Sequence, residues 1–319
     1  MAQESEAGGR DPARMVGPRR VTLEPWGVTI GPVVHLTAER RRLRSCAYAG
    51  FAVNPHGSTL GGMVTGLDLR TPLDPHTLAE LRRCLADFKV LFFRDQPLSQ
   101  DQHVAFARQF GELEIHPFLP SNTEIEALVR FENEDTVGGF ENGWHHDVTW
   151  RSCPSMGAVL RAIVVPETGG DTLFADMHAA YDGLDDGMKE RIEGLRAVHD
   201  FTGTFGTTLD PDARAAMQER YPPVEHPVVH VHPVTGRKLL YVNRYFVTGI
   251  VGMEREEGIA LIKELAAQAE TVEYQCRFRW EPDSIAFWDN RAVQHYAASD
   301  YFPDRRIMER ASIVGTRPT

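Results

Sequence analysis

A chain of 319 residues, 42% hydrophobic and 25% charged, has the composition of an ordinary globular protein with room for a sizeable core. That length predicts one β-rich domain enlarged by insertions. A formal net charge of −11 argues against nucleic acid as the main partner, although a local pair of arginines could still hold a small anion.

Residues 1–48 read as a basic, partly ordered extension, with eight arginines against five acids, and residues 49–319 as the main domain. The first twenty are rich in Gly, Pro and charge and predict little order. Arg19-Arg20 does not introduce a twin-arginine signal, because Glu24 and Pro25 break the apolar segment that should follow. Short apolar stretches over 21–36 predict a strand or two packed on the body. Arg40-Arg41-Arg42-Leu43-Arg44 reads as a solvated face. Asp74-Pro75 is a helix start, with an N-cap residue and a proline in the first turn, and Leu78, Leu81, Leu85 and Phe88 follow at helical spacing. Val90-Leu91-Phe92-Phe93 predicts a buried strand. Ser99 with Gln102 forms a capping box for a helix reaching about Phe110. Further helices are predicted over 177–195 and 254–267. Val272, Tyr274, Cys276, Phe278 and Trp280 alternate with polar residues, the two-residue period of a strand with one covered face. Two more strands follow at 284–288 and 307–315. Strand-rich halves with helices outside them predict a mainly β chain forming a double-sheet, cupin-like jelly roll. Cys46, Cys84, Cys153 and Cys276 lack Cys-x-x-Cys spacing, so zinc ribbons and dithiol redox motifs are excluded and reduced thiols in the cytoplasm are expected. No apolar run reaches membrane-spanning length.

The chemistry concentrates around Gly143-Trp144-His145-His146-Asp147-Val148-Thr149. If this stretch is extended, His145 and Asp147 point to one face and His146 to the other, the latter with a backbone group to bond. Two such ligands fill adjacent positions on a metal. A third from elsewhere completes the two-histidine, one-carboxylate arrangement of non-haem Fe(II) oxygenases. Trp288-Asp289-Asn290-Arg291 leads to His295, then to Arg306 and Arg310, which share one face of a strand roughly 13 Å apart at 3.3 Å per residue. Each guanidinium could grip an anion in bidentate fashion. His199, His230 and His232 read as structural or surface histidines, and Met253 and Met308 as packing residues.

From about Phe51 onward the chain resembles the taurine and phenoxyacetate dioxygenase family. The stretches that carry the resemblance are Phe93-Arg94-Asp95-Gln96, Phe110-Gly111-Glu112-Leu113, Trp144-His145-His146-Asp147-Val148-Thr149, Gly169-Gly170-Asp171-Thr172 and His226-Pro227-Val228-Val229. Trp288-Asp289-Asn290-Arg291, Gln294-His295-Tyr296 and Arg305-Arg306-Ile307-Met308-Glu309-Arg310 follow in the same order. The resemblance implies a double-stranded β-helix that uses Fe(II), 2-oxoglutarate and O2. His145, Asp147 and His295 would then be the catalytic iron ligands, and Arg306 and Thr172 would hold the far carboxylate of 2-oxoglutarate. Asp147 counts against the related halogenases, which have a small residue there. Val148 would line the site. His116 and Arg310 match residues that hold the sulfonate of taurine, and Phe205 and Phe246 match aromatic pocket positions. The Tyr and Asn that contact the taurine amine appear here as Leu119, whose lack of a hydroxyl makes that end more apolar, and Glu141, which could accept from an amine or face solvent. The expected substrate is therefore a small organic anion with an apolar portion: a sulfate ester, a sulfonate, an aryloxy acid or an amino-acid-like carboxylate. The family also implies a homo-oligomer, dimer or tetramer. Two rival readings are a zinc hydrolase on the same three ligands, which leaves Arg306 and Thr172 without a purpose, and a non-catalytic jelly-roll binding module.

Overall fold

The computed structural model describes residues 21–23, 25, 28–119, 121, 123–133 and 142–319, so the expectations for the first twenty residues and for Glu141 fall outside the described residues. Its centre is a seven-stranded sheet in the spatial order Ala52–Pro55, Gly62–Thr65, Val90–Phe93, Ile285–Asp289, Gly157–Val164, Arg306–Ile313 and Leu128–Asn133. Every neighbouring pair is antiparallel except Gly62–Thr65 with Val90–Phe93. A smaller sheet, Gln275–Phe278, Thr172–Asp176 and Val293–Ala297, faces it. Between the two, Phe92 and Trp288 of the large sheet meet Phe278 and Phe174 of the small one, with Phe92 stacked on Phe278 at 4.1 Å. This is the expected jelly roll.

Val90–Phe93 is apolar throughout because both its faces are covered. Val90 and Phe92 enter the space between the sheets, while Leu91 and Phe93 pack outward with Phe287 against helices Pro75–Phe88 and Gln100–Arg108. Those helices start where the sequence marks them. Asp74 accepts from His76 N–H and Thr77 N–H, and the reciprocal Ser99–Gln102 capping box is formed. On the opposite side, helices Met177–Asp182 and Arg255–Ala266 cover a third cluster containing Tyr241 and Leu265.

Two expectations are corrected. The helix predicted over 177–195 is two helices, Met177–Asp182 and Asp186–Ile192, because Asp185 caps Met188 N–H and starts a new helix where the first one stops. The alternation over 272–280 overstates its strand. Val272–Tyr274 is a 3-10 turn that leaves Val272 76% exposed, and only Gln275–Phe278 pairs with the neighbouring strand.

Within 21–48, Val21–Leu23 and Val28–Ile30 pair, and a helix spans Leu36–Ser45. Its Leu36 and Leu43 are buried in two different clusters. Arg40, Arg41, Arg42 and Arg44 are exposed as expected, and Arg42 also pairs with Glu39 and Asp87. Glu39 also reaches Lys89 and Arg237. No described helix is long and apolar enough to cross a membrane.

Candidate active site

The two imidazoles are brought together by backbone. His145 N–H donates to His295 C=O at 3.1 Å and His295 N–H to His145 C=O at 2.9 Å, an isolated antiparallel bridge that extends the small sheet by one residue. The rings lie 4.3 Å apart. His145 Nδ1 is 2.8 Å from Gly143 C=O, so in the neutral ring Nδ1 carries the proton and Nε2 keeps its lone pair. That Nε2 is 3.7 Å from Asp147 Oδ1, and His295 Nε2 is 3.8 Å from Asp147 Oδ2. One donor atom from each of the three residues lies within 4.8 Å of the other two.

His145 and Asp147 do aim to one side, as expected, but the extended backbone ends at Asp147. Asp147 opens a turn, and Val148 takes φ +49°. His146 does point the opposite way and is buried 4.7 Å from the Tyr241 ring, but its expected backbone hydrogen bond is missing: neither ring nitrogen has a partner. Burial holds it uncharged. His199, His230 and His232 are all buried and structural. His199 Nδ1 meets Thr149 Oγ1, His230 Nδ1 meets the Thr319 carbonyl, and His232 Nε2 meets Asp289.

Charge favours a divalent cation. Burial alone would raise the pKa of Asp147, but Arg310 and the two imidazoles outweigh it and hold the carboxyl well below its usual range. Burial, with His145 alongside, pushes His295 down to about 3. An ionised carboxylate and a neutral imidazole are the protonation states a metal requires of its ligands, and two nitrogens with one oxygen suit Fe(II).

Deeper in the jelly roll, Arg306, Met308 and Arg310 alternate inward along strand Arg306–Ile313, as the shared-face expectation requires. Arg306 is 4% exposed; its guanidinium sits 5.7 Å over the Tyr301 ring. A Cβ on Gly170 (φ +67°) would come within 3.1 Å of Arg306 Cδ, so the glycine lets the two segments approach. Thr172, one strand position from the Gly169-Gly170-Asp171 turn, is buried and its Oγ1 accepts from Trp280 Nε1–H at 3.0 Å, leaving the hydroxyl proton to donate elsewhere.

At the other end, Arg310 Nη1 lies 3.2 and 3.3 Å from the two Asp147 oxygens. Nearby, Val148 and Phe246 belong to an aromatic cluster with Trp150 and Phe201, flanked by Phe118, Phe205 and Tyr245. His116 faces this cluster, 5.3 Å from Phe205. Its Nδ1 accepts from Phe118 N–H and Leu119 N–H, so the neutral ring has its proton on Nε2. Burial, with Arg310 adding to it, lowers its pKa to about 3. The structure thus gathers His116, Val148, Phe205 and Phe246 in one cluster, with Arg310 close to His116 and Asp147, and Leu119 joined to His116 through its main-chain N–H. Asn290, Tyr245, Phe118 and Trp280 were missed as site residues. Asn290 and Trp280 lay in motifs already singled out, whereas nothing in the sequence marked Tyr245, which stacks on the His145 ring at 4.6 Å.

Residues 52–312 match the family described as taurine catabolism dioxygenase TauD, TfdA. An alpha-ketoglutarate-dependent sulfate ester dioxygenase of Pseudomonas putida is 34% identical over 275 residues, covering 83% of this chain and 90% of that protein. An alpha-ketoglutarate-dependent 2,4-dichlorophenoxyacetate dioxygenase of Cupriavidus pinatubonensis is 35% identical over 279 residues, covering 82% of this chain and 96% of that one. Among solved structures, a taurine dioxygenase from Burkholderia xenovorans gives a TM-score of 0.73 at 35% identity, over 85% of this chain and 93% of its own. AAD-2, solved with Mn(II) and N-oxalylglycine, gives 0.71 at 33% identity, over 84% and 99%. The metal-ligand geometry, the jelly roll and these likenesses agree: the chain belongs to the taurine catabolism dioxygenase TauD, TfdA family.

Proposed function

We propose that this 2-oxoglutarate-dependent dioxygenase oxidises a C–H bond of a small organic anion bearing an apolar group, with Fe(II) held by His145, Asp147 and His295. The observation that carries the reading is the position of Asp147. Its carboxylate lies between the two imidazoles on one side and Arg310 on the other, so an anion held by Arg310 has its neighbouring carbon next to the metal ligands. Iron with 2-oxoglutarate and O2 supplies an oxidant able to take hydrogen from an unactivated carbon, releasing succinate and CO2.

The chain's own residues position and protect. Arg306 and the Thr172 hydroxyl hold the far carboxylate of 2-oxoglutarate. Arg310 and the His116 Nε2–H hold the substrate's anionic head, and Val148, Phe205 and Phe246, with Leu119 at the rim, enclose the apolar part and keep water from the reacting carbon. Glu141 is assigned to the amine end of the pocket on the resemblance alone. Sulfate esters and aryloxy acids are the substrate classes named for the two relatives above. Each suits a charged head beside an aromatic enclosure. Hydroxylation of a carbon bearing sulfate, sulfonate or ether oxygen gives an adduct that collapses to a carbonyl compound, releasing sulfate, sulfite or the alcohol or phenol of the ether respectively.

The test is a panel of alkyl sulfates, sulfonates, aryloxy acids and amino acids, scored by substrate-dependent succinate release. Formation of succinate with none of them would favour a binding module. Anaerobic addition of Fe(II) and 2-oxoglutarate should give a weak visible charge-transfer band, which a zinc hydrolase would not show. Residues 49–319 are assigned to the catalytic domain and 1–48 to an extension, supported by a family match that begins at residue 52. The protein is further proposed to be a cytoplasmic homo-oligomer, dimer or tetramer, which light scattering on the purified protein tests.

A further inference from the structure

Asp147 stands where the main chain has little regular structure to hold it. Before it is the isolated bridge at His145, and after it is Val148, a β-branched residue at φ +49° that adopts this conformation only when its surroundings impose it. The Asn290 side chain does here what a neighbouring strand would do. Its Oδ1 accepts from Asp147 N–H at 2.7 Å, and its Nδ2 donates to Asp147 C=O at 3.0 Å and to Ser155 C=O at 3.1 Å. Asn290 is fully buried, and its own N–H donates to Met156 C=O at 2.9 Å. It directly follows strand Ile285–Asp289 of the large sheet, whereas His295 hangs from strand Val293–Ala297 of the small one. The carboxamide therefore ties the turn that bears the carboxylate to the large sheet, across from the imidazoles.

We propose that Asn290 is a positioning residue for the metal site: its amide fixes the Asp147 main chain so that the carboxylate meets both imidazoles, and this sets the affinity for the divalent cation. Only an amide of this length fits. Serine is too short to span N–H and C=O, and aspartate has no donor for the two carbonyls. The inference rests on the reading of His145, Asp147 and His295 as metal ligands.

The experiment is an anaerobic Mn(II) titration followed by the electron paramagnetic resonance signal of the free ion. It compares the wild type with Asn290→Ala, the shape-preserving Asn290→Leu, and Leu81→Ala, a buried change in the cluster under helix Pro75–Phe88. The wild type should bind one Mn(II) per chain. Both Asn290 variants should bind it about 10- to 100-fold more weakly, the usual consequence of removing an outer partner of a metal ligand. Leu81→Ala should lower the Tm yet leave Mn(II) affinity within about twofold, which separates positioning from loss of stability. Folded Asn290 variants with wild-type affinity overturn the proposal. So does failure of both Asn290 variants to fold when Leu81→Ala folds, because Asn290 would then serve the fold. A wild type that takes up no Mn(II) overturns the metal-site reading instead.

Discussion

Replacing Arg306 by leucine should remove one charge from the subsite proposed for the cosubstrate and nothing from the residues proposed to hold the metal. Arg306 is almost wholly buried between Gly170 and the Tyr301 ring, so a carboxylate brought to it leaves water behind. Breaking a buried charge pair by deleting one partner costs about 3–5 kcal/mol. At about 1.4 kcal/mol per factor of ten, the KM for 2-oxoglutarate should rise about a hundred- to a few thousandfold. The leucine side chain offers an apolar surface in exchange. In 2-oxopentanoate a methyl group replaces the far carboxylate, so this acid should serve Arg306→Leu at least as well as it serves the wild type. Both acids are compared by O2 uptake at saturating substrate, since 2-oxopentanoate yields no succinate. Loss of kcat without a rise in KM would mean that the residue acts in the transition state rather than in binding. An equal loss with both acids would mean that Arg306 supports the fold and does not grip the cosubstrate, and the assignment would fail.

Arg310→Gln should raise the KM for an anionic substrate about 10- to 150-fold, the value of one charge-assisted hydrogen bond at about 1.5–3 kcal/mol, while the KM for 2-oxoglutarate stays within a few-fold; steady-state kinetics with both varied checks this. Lys89→Met should strand the fully buried Asp176, whose carboxylate lies 3.1 Å from Lys89 Nζ. At about 3–5 kcal/mol, and about 0.7 kcal/mol/K of unfolding entropy for a chain of this size, the calorimetric Tm should fall by about 5–7 °C, and an unchanged Tm contradicts the pairing. Burial pushes His103 and His178 each down from 6.5 to about 4, so the folded protein keeps them neutral while the unfolded chain protonates them. Their contribution is complete above pH 6.5 and is lost as the pH falls towards 4, about 3 kcal/mol each. Urea unfolding at pH 7.5, 6 and 5 should show falling stability, with a shallower slope for His103→Met, and equal slopes for variant and wild type refute the assignment.

The parts of the fold legible in the sequence are those governed by local chemistry. Asp74-Pro75 and the Ser99–Gln102 box name their helix starts because the capping atoms lie within three residues of the N–H groups they satisfy. Val90–Phe93 is readable because double-sided burial demands an unbroken apolar run. The misreadings share a cause. Over 177–195 the apolar pattern persists through a break marked by Gly183 at the end of one helix and Asp185 at the start of the next, and these caps count for more than periodicity. At Val272 the alternation continues past the last strand partner, and with no strand opposite it the residue faces solvent. Pattern reports what a segment can cover, and pairing decides where covering stops.

The site divides along the same line. The identities of His145, Asp147 and His295, and the common side of the first two, are legible in the sequence, whereas the turn that begins at Asp147 is not. Residues two apart in a strand have Cα atoms about 6.6 Å apart and side chains on one face, near enough to share a metal. Here the chain turns under Asp147, and the carboxylate leans in to 3.7 and 3.8 Å from the two imidazoles. The His-x-Asp spacing therefore encodes that the ligands are neighbours on one side. Their final aim is set by a left-handed valine that the sequence would not single out, and by a carboxamide 143 positions away in the chain. A strand would have supplied its own ladder bonds to the carboxylate-bearing residue. A turn supplies none, so the dependence on Asn290 follows from the same bend that makes the three ligands meet.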